Sequence, residues 1–269
     1  MTISNILEIK NPVKIKQKPI KETQDIFIPD IKDLNISRNN GMVYILCGSG
    51  GSGKTSLMLN LFQNKEQYRN KFHNIYYFCP MSSFLSVKKH PFEKHDKVYH
   101  ELTVSALNGI YNELLEIKEE QKRKQDKKKK KKVEIEDYEE KEDSDSDDEI
   151  QYSCIIIDDF ANDLKNNDIQ TQLNKMIIKA RHIRCSFITT LQSFFYYPKI
   201  LRKQITYCTI FKTKNTEEWV TISKELFNYN KDDSLKLYNF VFDEPYNHID
   251  VNTINNKMYK NFNLLEINS

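Results

Sequence analysis

The feature that most constrains the fold is a cluster of glycines near residue 50. Five of the six glycines in this 269-residue chain lie between residues 41 and 53, and four of them belong to Gly48–Thr55, with the sequence GSGGSGKT. This run fits the pattern G-x-x-x-x-G-K-[ST], in which backbone N–H groups curl around a phosphate anion. A chain so poor in glycine has concentrated it where such a loop requires it.

The residues on both sides of the run match the surroundings of a phosphate-binding loop. Met42–Cys47 are apolar and predict a buried strand, and Ser56–Phe62 predict the first turns of a helix. The positive end of the helix dipole then lies behind the inward-pointing amides, which favours an anion. The predicted nucleotide-binding residues are Gly48, Ser49, Gly50, Gly51, Ser52, Gly53, Lys54, Thr55 and Ser56.

A second element supports nucleotide chemistry. Cys154–Ile157 is an apolar run that predicts a buried strand, and Asp158 and Asp159 follow it directly. Asp158 and the Thr55 hydroxyl can hold Mg²⁺, while Lys54 reaches the β- and γ-phosphates. Asp159 can then polarise the attacking water. In the alternative interpretation, the paired carboxylates cap the next helix. Both motifs in one chain predict that it binds a nucleoside triphosphate together with Mg²⁺.

A third element lies at the end of the following predicted strand. Thr189–Ser193 ends that strand, and Gln192 at its tip can sense the γ-phosphate. The alternative is a strand that ends in polar residues because it reaches solvent. The sequence has no Asn-Lys-x-Asp run to read guanine and no arginine-rich lid, which argues against a GTPase and a nucleotide kinase.

The charge pattern divides the chain. Residues 1–40 are polar and predict an N-terminal arm, and residues 41–269 predict one ATPase domain. Within that domain, residues 121–149 hold ten Lys or Arg and twelve Asp or Glu residues, in a basic block followed by an acidic one. This predicts an insertion that is disordered beyond about Lys127, with a solvated helix extension as the alternative. The lysines could contact DNA, although the acidic block can neutralise them in cis.

The remaining composition indicates a compartment. Five cysteines at irregular spacing predict buried, reduced thiols without disulfides or zinc. No apolar run is long enough to span a bilayer, and the N-terminus lacks a signal-peptide pattern. We therefore expect a soluble intracellular protein that does not bind membranes.

Three segments of the chain resemble a known family. Gly48–Thr55, Ile155–Asp159 and Thr189–Arg202 (TTLQSFFYYPKILR) are similar to the DNA-packaging ATPases of poxviruses, giant viruses and virophages, in the FtsK/HerA superfamily. The resemblance covers about residues 41–225. It implies an α/β fold of the RecA-like P-loop NTPase type, with a mainly parallel β-sheet flanked by helices. It also implies ATP hydrolysis that drives double-stranded DNA into a capsid, with Gln192 as the sensor.

The same resemblance implies partners. They are double-stranded DNA, capsid or portal proteins, and further copies of the chain in a ring, in which a neighbouring subunit supplies an arginine finger. Arg181 and Arg184 are the preferred finger candidates and Arg202 is less favoured, since each could instead be a helix C-terminal cation or a surface salt bridge. The expected location is the viral factory in the host-cell cytoplasm, and the protein could also be associated with the virion.

Two further observations leave alternatives open. Many relatives have Glu where this chain has Asp159, whose shorter reach is compatible with slow hydrolysis. This departure keeps open the alternative of a nucleotide-gated assembly adaptor with little hydrolysis. A helicase or recombination ATPase that uses the same core is the other alternative. Tyr196, Tyr197, Lys199, Arg202 and Lys203 form an aromatic and basic segment that could face DNA. We favour slightly the alternative in which Phe194 and Phe195 pack in the core and the tyrosines cap its edge.

Overall fold

The structure is a computed structural model of the chain. It describes residues 5–9, 14–16, 27–29, 41–65, 67–135 and 151–268.

The described strands are β1 (Asn5–Ile9), β2 (Lys14–Lys16), β3 (Phe27–Pro29), β4 (Val43–Cys47), β5 (Asn74–Phe78), β6 (Val98–Tyr99), β7 (Ser153–Ile157), β8 (Cys185–Leu191), β9 (Tyr207–Phe211), β10 (His248–Asn252), β11 (Lys257–Lys260) and β12 (Asn263–Asn268). The described α-helices are α1 (Lys54–Gln63), α2 (Met81–Leu85), α3 (Val104–Ile135), α4 (Asn167–Ile178), α5 (Lys199–Arg202), α6 (Thr216–Phe227) and α7 (Lys231–Val241).

Ten of these strands form one sheet, in the order β1-β12-β11-β10-β9-β4-β8-β7-β5-β6. Neighbouring strands are parallel from β9 to β6. They are antiparallel from β9 through β10, β11 and β12 to β1. The strands β2 and β3 pair separately as an antiparallel ribbon. The predicted α/β fold with a mainly parallel sheet flanked by helices is confirmed.

The central strands are continuous apolar runs because helices cover both faces of the sheet. Along β4, Val43 and Ile45 join the core cluster that includes residues of α3, α4, α6 and α7. Tyr44 and Leu46 point the other way and join the cluster that includes residues of α1. The five cysteines are buried in these layers, as the sequence predicted.

The antiparallel part of the sheet was not predicted from the sequence. A buried polar network joins it to the parallel part. Asp250 on β10 accepts a hydrogen bond from the Thr209 hydroxyl (2.5 Å) and one from the Phe262 amide (3.0 Å). The Thr209 hydroxyl also lies 2.8 Å from the Tyr44 hydroxyl on β4. These contacts depend on which strands are neighbours in space, and no local sequence pattern encodes that.

Two predicted segments differ from what the structure describes. Residues 1–40 were predicted as an arm, and within them β1 pairs with β12 at the edge of the main sheet. The helix α3 continues to Ile135, so the prediction of disorder beginning near Lys127 is wrong in its boundary. Lysine and glutamate are good helix formers, and this stretch holds no glycine or proline to end the helix. Residues 136–150 lie outside the described part of the chain.

Candidate functional site

Three strand ends meet at one edge of the sheet. In the parallel part of the sheet, β8 lies between β4 and β7. The carboxyl ends of parallel strands lie on the same side, so the glycine run after β4, the two carboxylates after β7 and Gln192 after β8 converge. The Gly48 amide donates to the Leu191 carbonyl at 3.0 Å, which joins the loop to the end of β8.

The P-loop (Gly48–Thr55) requires glycine at two points for different reasons. A Cβ at Gly48 would lie 2.7 Å from the Phe211 Cβ, so a side chain there would collide with the end of β9. Gly53 caps α1 with a φ of +100°, a conformation that side chains rarely adopt. The backbone can therefore turn sharply into the helix N-terminus, where free amides accumulate.

Lys54 closes the loop on itself. Its ammonium donates to the carbonyls of Gly48 (2.7 Å) and Ser49 (2.9 Å). Burial lowers the pKa of Lys54, and the nearby Cys47, Asp158 and Asp159 oppose that shift. A phosphate would give this buried cation an anionic partner that the loop carbonyls, being neutral, do not supply.

Asp158 is a buried carboxylate held by three hydroxyl groups, and it is only 1% exposed. Its Oδ1 accepts from Thr55 Oγ1 at 3.1 Å and from Thr190 Oγ1, and its Oδ2 accepts from the Tyr77 hydroxyl at 3.0 Å. Burial raises the pKa of Asp158, and these hydrogen bonds oppose the shift. A cation beside Thr55 and Asp158 would relieve the cost of burying the charge.

Asp159 is exposed and contacts Gln192. Its Oδ1 accepts from Gln192 Nε2 at 3.2 Å, its Oδ2 accepts from Ser83 Oγ at 2.8 Å, and its amide donates to Thr190 Oγ1 at 3.2 Å. Its φ is +64°, a conformation that Asp and Asn tolerate better than most residues. The carboxylate is thus aimed at the tip of β8 by backbone geometry and two side-chain contacts.

Sequence reasoning missed three residues that position the acids. Thr190 bridges Asp158 and Asp159 from β8, Tyr77 reaches Asp158 from β5, and Ser83 contacts Asp159 from α2. A threonine two residues before Gln192 is a weak signal for this role. For Tyr77 and Ser83 no signal existed, because their roles depend on which strand and helix lie beside β7.

The preferred arginine candidates lie far from the P-loop of their own chain. Arg181 and Arg184 precede β8, and the seven residues of that strand separate them from the Gln192 edge by roughly 20 Å. The Arg184 guanidinium donates to the Gln121 side chain on α3. Neither arginine therefore joins the nucleotide site within one chain, and a role across a subunit boundary stays a prediction.

The third arginine candidate, Arg202, is held in place. It pairs with Glu225 at 3.1 Å and lies over the Phe194 ring at 5.1 Å. These contacts fix its guanidinium within its own chain. Arg202 is thus a less suitable finger than its sequence position alone indicates.

The segment after Gln192 has one side in the core and one side facing out. Phe194 and Tyr197 are buried, whereas Phe195 is 43% exposed and Tyr196 is 38% exposed. The prediction that both phenylalanines pack in the core is therefore wrong for Phe195, because the 3-10 turn at Phe194–Tyr196 points successive side chains in different directions.

The donor set at this edge fits Mg²⁺. The Thr55 hydroxyl and the Asp158 carboxylate are hard oxygen ligands, which Mg²⁺ prefers, and it commonly binds through only one or two carboxylates. In the described part of the chain there is no group of three His, Cys, Asp or Glu side chains that could hold a metal by itself. A P-loop site needs none, since phosphate oxygens and water complete the shell.

None of the helices in the described residues combines the length and the apolar character needed to span a membrane.

Comparison with known proteins gives one family. The family described as Poxvirus A32 protein matches residues 35–264. This range includes the P-loop, the acidic pair Asp158 and Asp159, and most of the sheet. No curated protein matches the chain at a significant level. The family match confirms the resemblance inferred from the three sequence segments.

Solved structures share the fold at low sequence identity. EssC (ATPases 2 and 3) from Geobacillus thermodenitrificans has a TM-score of 0.52 and 18% identity over 99% of this chain, which spans only 45% of the EssC chain. The genome packaging NTPase B204 of Sulfolobus turreted icosahedral virus 2, in complex with ATP-gammaS, has a TM-score of 0.50 and 13% identity over 83% of this chain and 97% of its own. The pCW3 conjugation coupling protein TcpA, with ATPgS, has a TM-score of 0.55 and 12% identity over 94% of this chain and 65% of its own.

Proposed function

The chain belongs to the poxvirus A32 protein family, a family of ATPases, and on that premise we propose that it hydrolyses ATP to move double-stranded viral DNA into a capsid. The observation that carries the proposal is the meeting of the P-loop, the acidic pair and Gln192 at one sheet edge. The fold shared with a genome packaging NTPase solved with ATP-gammaS supports the same conclusion.

In the proposed mechanism, the P-loop amides and Lys54 bind the phosphates of ATP. Lys54 exchanges its present bonds to the carbonyls of Gly48 and Ser49 for phosphate oxygens. Its position near the amides adds a full positive charge where negative charge develops in the transition state. Thr55 and Asp158 would hold Mg²⁺, which would neutralise negative charge on the phosphates.

Asp159 orients the attacking water in this proposal. Its carboxylate already contacts Gln192 and Ser83, so a water bound between Asp159 and the γ-phosphate would replace one of these partners. Gln192 can therefore report the presence of the γ-phosphate to the rest of β8 and to the exposed aromatic turn behind it. In this proposal, the contact between Asp159 and Gln192 couples the presence of the γ-phosphate to the exposed aromatic turn, which would contact the substrate.

We extend the proposal to the substrate and the assembly. Phe195, Tyr196 and the exposed lysines Lys199 and Lys203 offer stacking surfaces and positive charge, which suit a nucleic-acid backbone and its bases. Several copies would form a ring around DNA at the capsid portal, in the viral factory of the host-cell cytoplasm. Arg181 or Arg184 would act on the nucleotide of a neighbouring subunit.

The first experiment measures ATP hydrolysis by the purified protein with and without long double-stranded DNA. The Lys54→Ala variant is the blank, because it removes the cation that contacts the phosphates and leaves the rest of the edge intact. We expect turnover to rise with DNA and to vanish in the variant. If DNA does not change the rate of ATP turnover, even when purified capsid portal protein is present, the translocase proposal is overturned.

Two alternatives give different results in the same assay. A nucleotide-gated adaptor binds ATP tightly and shows no turnover even with DNA and portal protein present. The engagement of both Asp159 carboxylate oxygens by Ser83 and Gln192 is the observation that favours this alternative. A helicase or recombination ATPase separates the strands of a forked duplex, which a packaging motor need not do.

A further inference from the structure

The P-loop has two sides with different chemistry. On the side of β8 and β7 lie the carboxylates and Gln192, which suit the γ-phosphate and its metal ion. On the side of β9 lie aromatic rings: a Cβ built on Gly53 would be 3.7 Å from both the Phe211 Cε1 and the Tyr246 Cδ1. A bound triphosphate is an extended chain, so its nucleoside end leaves the loop on the side away from the carboxylates.

Tyr246 is an exposed aromatic residue against that side of the loop. Its side chain is 58% exposed, although it lies beside Gly53 of the P-loop and precedes the strand β10. Among the exposed large aromatic side chains of the described residues, the other two, Phe195 and Tyr196, lie in the turn after Gln192. A tyrosine ring exposed beside a nucleotide-binding loop offers a flat apolar face to a ligand bound there.

The loop that carries Tyr246 is fixed from both sides. The Asn247 amide group donates to Asp243 at 2.7 Å, and its oxygen accepts from Asn261 at 2.7 Å. Asp243 also pairs with Lys260 at 2.9 Å. Tyr246 itself has a φ of +65°, which is unfavourable for a tyrosine, so the surrounding contacts hold it in this orientation. A loop that is already held in place loses little freedom when its aromatic ring stacks on a ligand.

We propose that the Tyr246 ring stacks on the base of the bound nucleotide and so forms the base subsite of this ATPase. The inference rests on the proposed ATP-binding function of the P-loop and adds a residue to it. Every base presents a π face, so stacking strengthens binding without selecting the base. The proposal therefore predicts that Tyr246 contributes equally to the affinity for ATP and for GTP.

The test compares three ligands: ATP, GTP and inorganic tripolyphosphate, each with Mg²⁺, by titration calorimetry. The main variant is Tyr246→Asn, because asparagine tolerates a positive φ and removes only the ring. We expect its Kd for ATP and for GTP to rise about tenfold or more, by the same factor, and its Kd for tripolyphosphate to stay within twofold. Tyr246→Phe keeps the ring and should bind all three as the unchanged protein does.

Controls separate stacking from a structural role. Ile254→Asn removes a comparably exposed apolar side chain, 64% exposed in the turn after β10, and should change no affinity. Equal loss of tripolyphosphate and ATP binding in Tyr246→Asn, or unchanged ATP binding, would overturn the base subsite while leaving the ATPase proposal intact. If the unchanged protein binds neither ATP nor tripolyphosphate, the proposed function itself fails, and the base subsite fails with it.

Discussion

Asp158 is a buried carboxyl group that accepts hydrogen bonds from three hydroxyl groups, those of Thr55, Tyr77 and Thr190. An isolated buried carboxylate is costly because water no longer solvates it. The surrounding hydroxyls reduce that cost but do not remove it, since burial still raises the pKa of Asp158. The residue is thus arranged for a cation rather than for the stability of the nucleotide-free protein.

This arrangement predicts opposite effects of Asp158→Asn on stability and activity. The neutral amide fills the same space and needs no counter-charge, so we expect the melting temperature without nucleotide to rise by about 2–4 °C. Mg²⁺-dependent ATP hydrolysis should be lost. Calorimetric unfolding and a phosphate-release assay measure the two effects. A lower melting temperature would mean that the charge of Asp158 stabilises the empty site.

The second acid should affect only the chemical step. Asparagine tolerates the positive φ of residue 159, so Asp159→Asn removes the charge without straining the backbone. We expect turnover to fall about 10²-fold or more while the Kd for ATP changes less than threefold. Asp163→Asn, at a nearby exposed carboxylate, is the matched control and should hydrolyse ATP normally. Normal turnover of Asp159→Asn would exclude Asp159 as the acid that orients water.

At the scale of elements, asparagines cap three of the helices that cover the sheet. Asn166, Asn215 and Asn230 accept hydrogen bonds from the first turns of α4, α6 and α7. The cap of α7 is reciprocal: the Asn230 oxygen accepts from the Asp233 amide at 2.9 Å, and its amide group donates to the Asp233 carboxylate at 2.8 Å. The helices α6 and α7 then enclose Trp219, whose indole donates to the Ser234 carbonyl at 2.6 Å.

We therefore expect Asn230→Ala to destabilise the protein by about 1–2 kcal/mol, at the upper end of the range for caps because Asp233 is buried and loses a donor. Urea unfolding monitored by the fluorescence of Trp219, which lies on α6 and contacts α7, measures the effect. Lys231→Ala, an exposed position in the same turn, should change the free energy of unfolding by less than about 0.5 kcal/mol. Equal effects of both changes would show that the cap contributes nothing specific.

At the scale of the whole molecule, none of the three candidate arginines, all within the described residues, lies at the nucleotide site of its own chain. Arg181 and Arg184 lie at the opposite edge of the sheet, and Arg202 is paired with Glu225. In a ring, the sheet edge that carries Arg181 and Arg184 in one chain could lie near the nucleotide of a neighbouring chain. The proposed arginine finger thus depends on assembly, and only an assembled sample can test it.

Arg181→Ala should reduce turnover about 10³-fold in the assembled protein, with little change in ATP affinity, if Arg181 is the finger. Mixing this variant with Lys54→Ala subunits then restores part of the activity, because each variant supplies what the other lacks. His182→Ala, at the next exposed position, is the control. Normal turnover of both Arg181→Ala and Arg184→Ala as assembled oligomers would contradict the assignment.

The sequence alone determined the local elements of this protein. Glycine spacing, apolar runs and the residues after each run predicted the P-loop, the strands Met42–Cys47 and Cys154–Ile157 and the helix that begins near Ser56, because these signals depend on neighbours along the chain. They also predicted which strand ends carry polar side chains. The family match agrees with that pattern.

Only the tertiary structure decided which of these elements lie side by side. It placed β8 between β4 and β7, so that Thr190 contacts both acids, and it brought Tyr77 and Ser83 to the same edge. It also showed that four antiparallel strands extend the sheet and that Arg181 and Arg184 lie away from the P-loop. Tyr246 lies beside Gly53 for the same reason. Strand order and contacts between distant residues follow from how the whole chain packs, and no local pattern in the sequence carries that information.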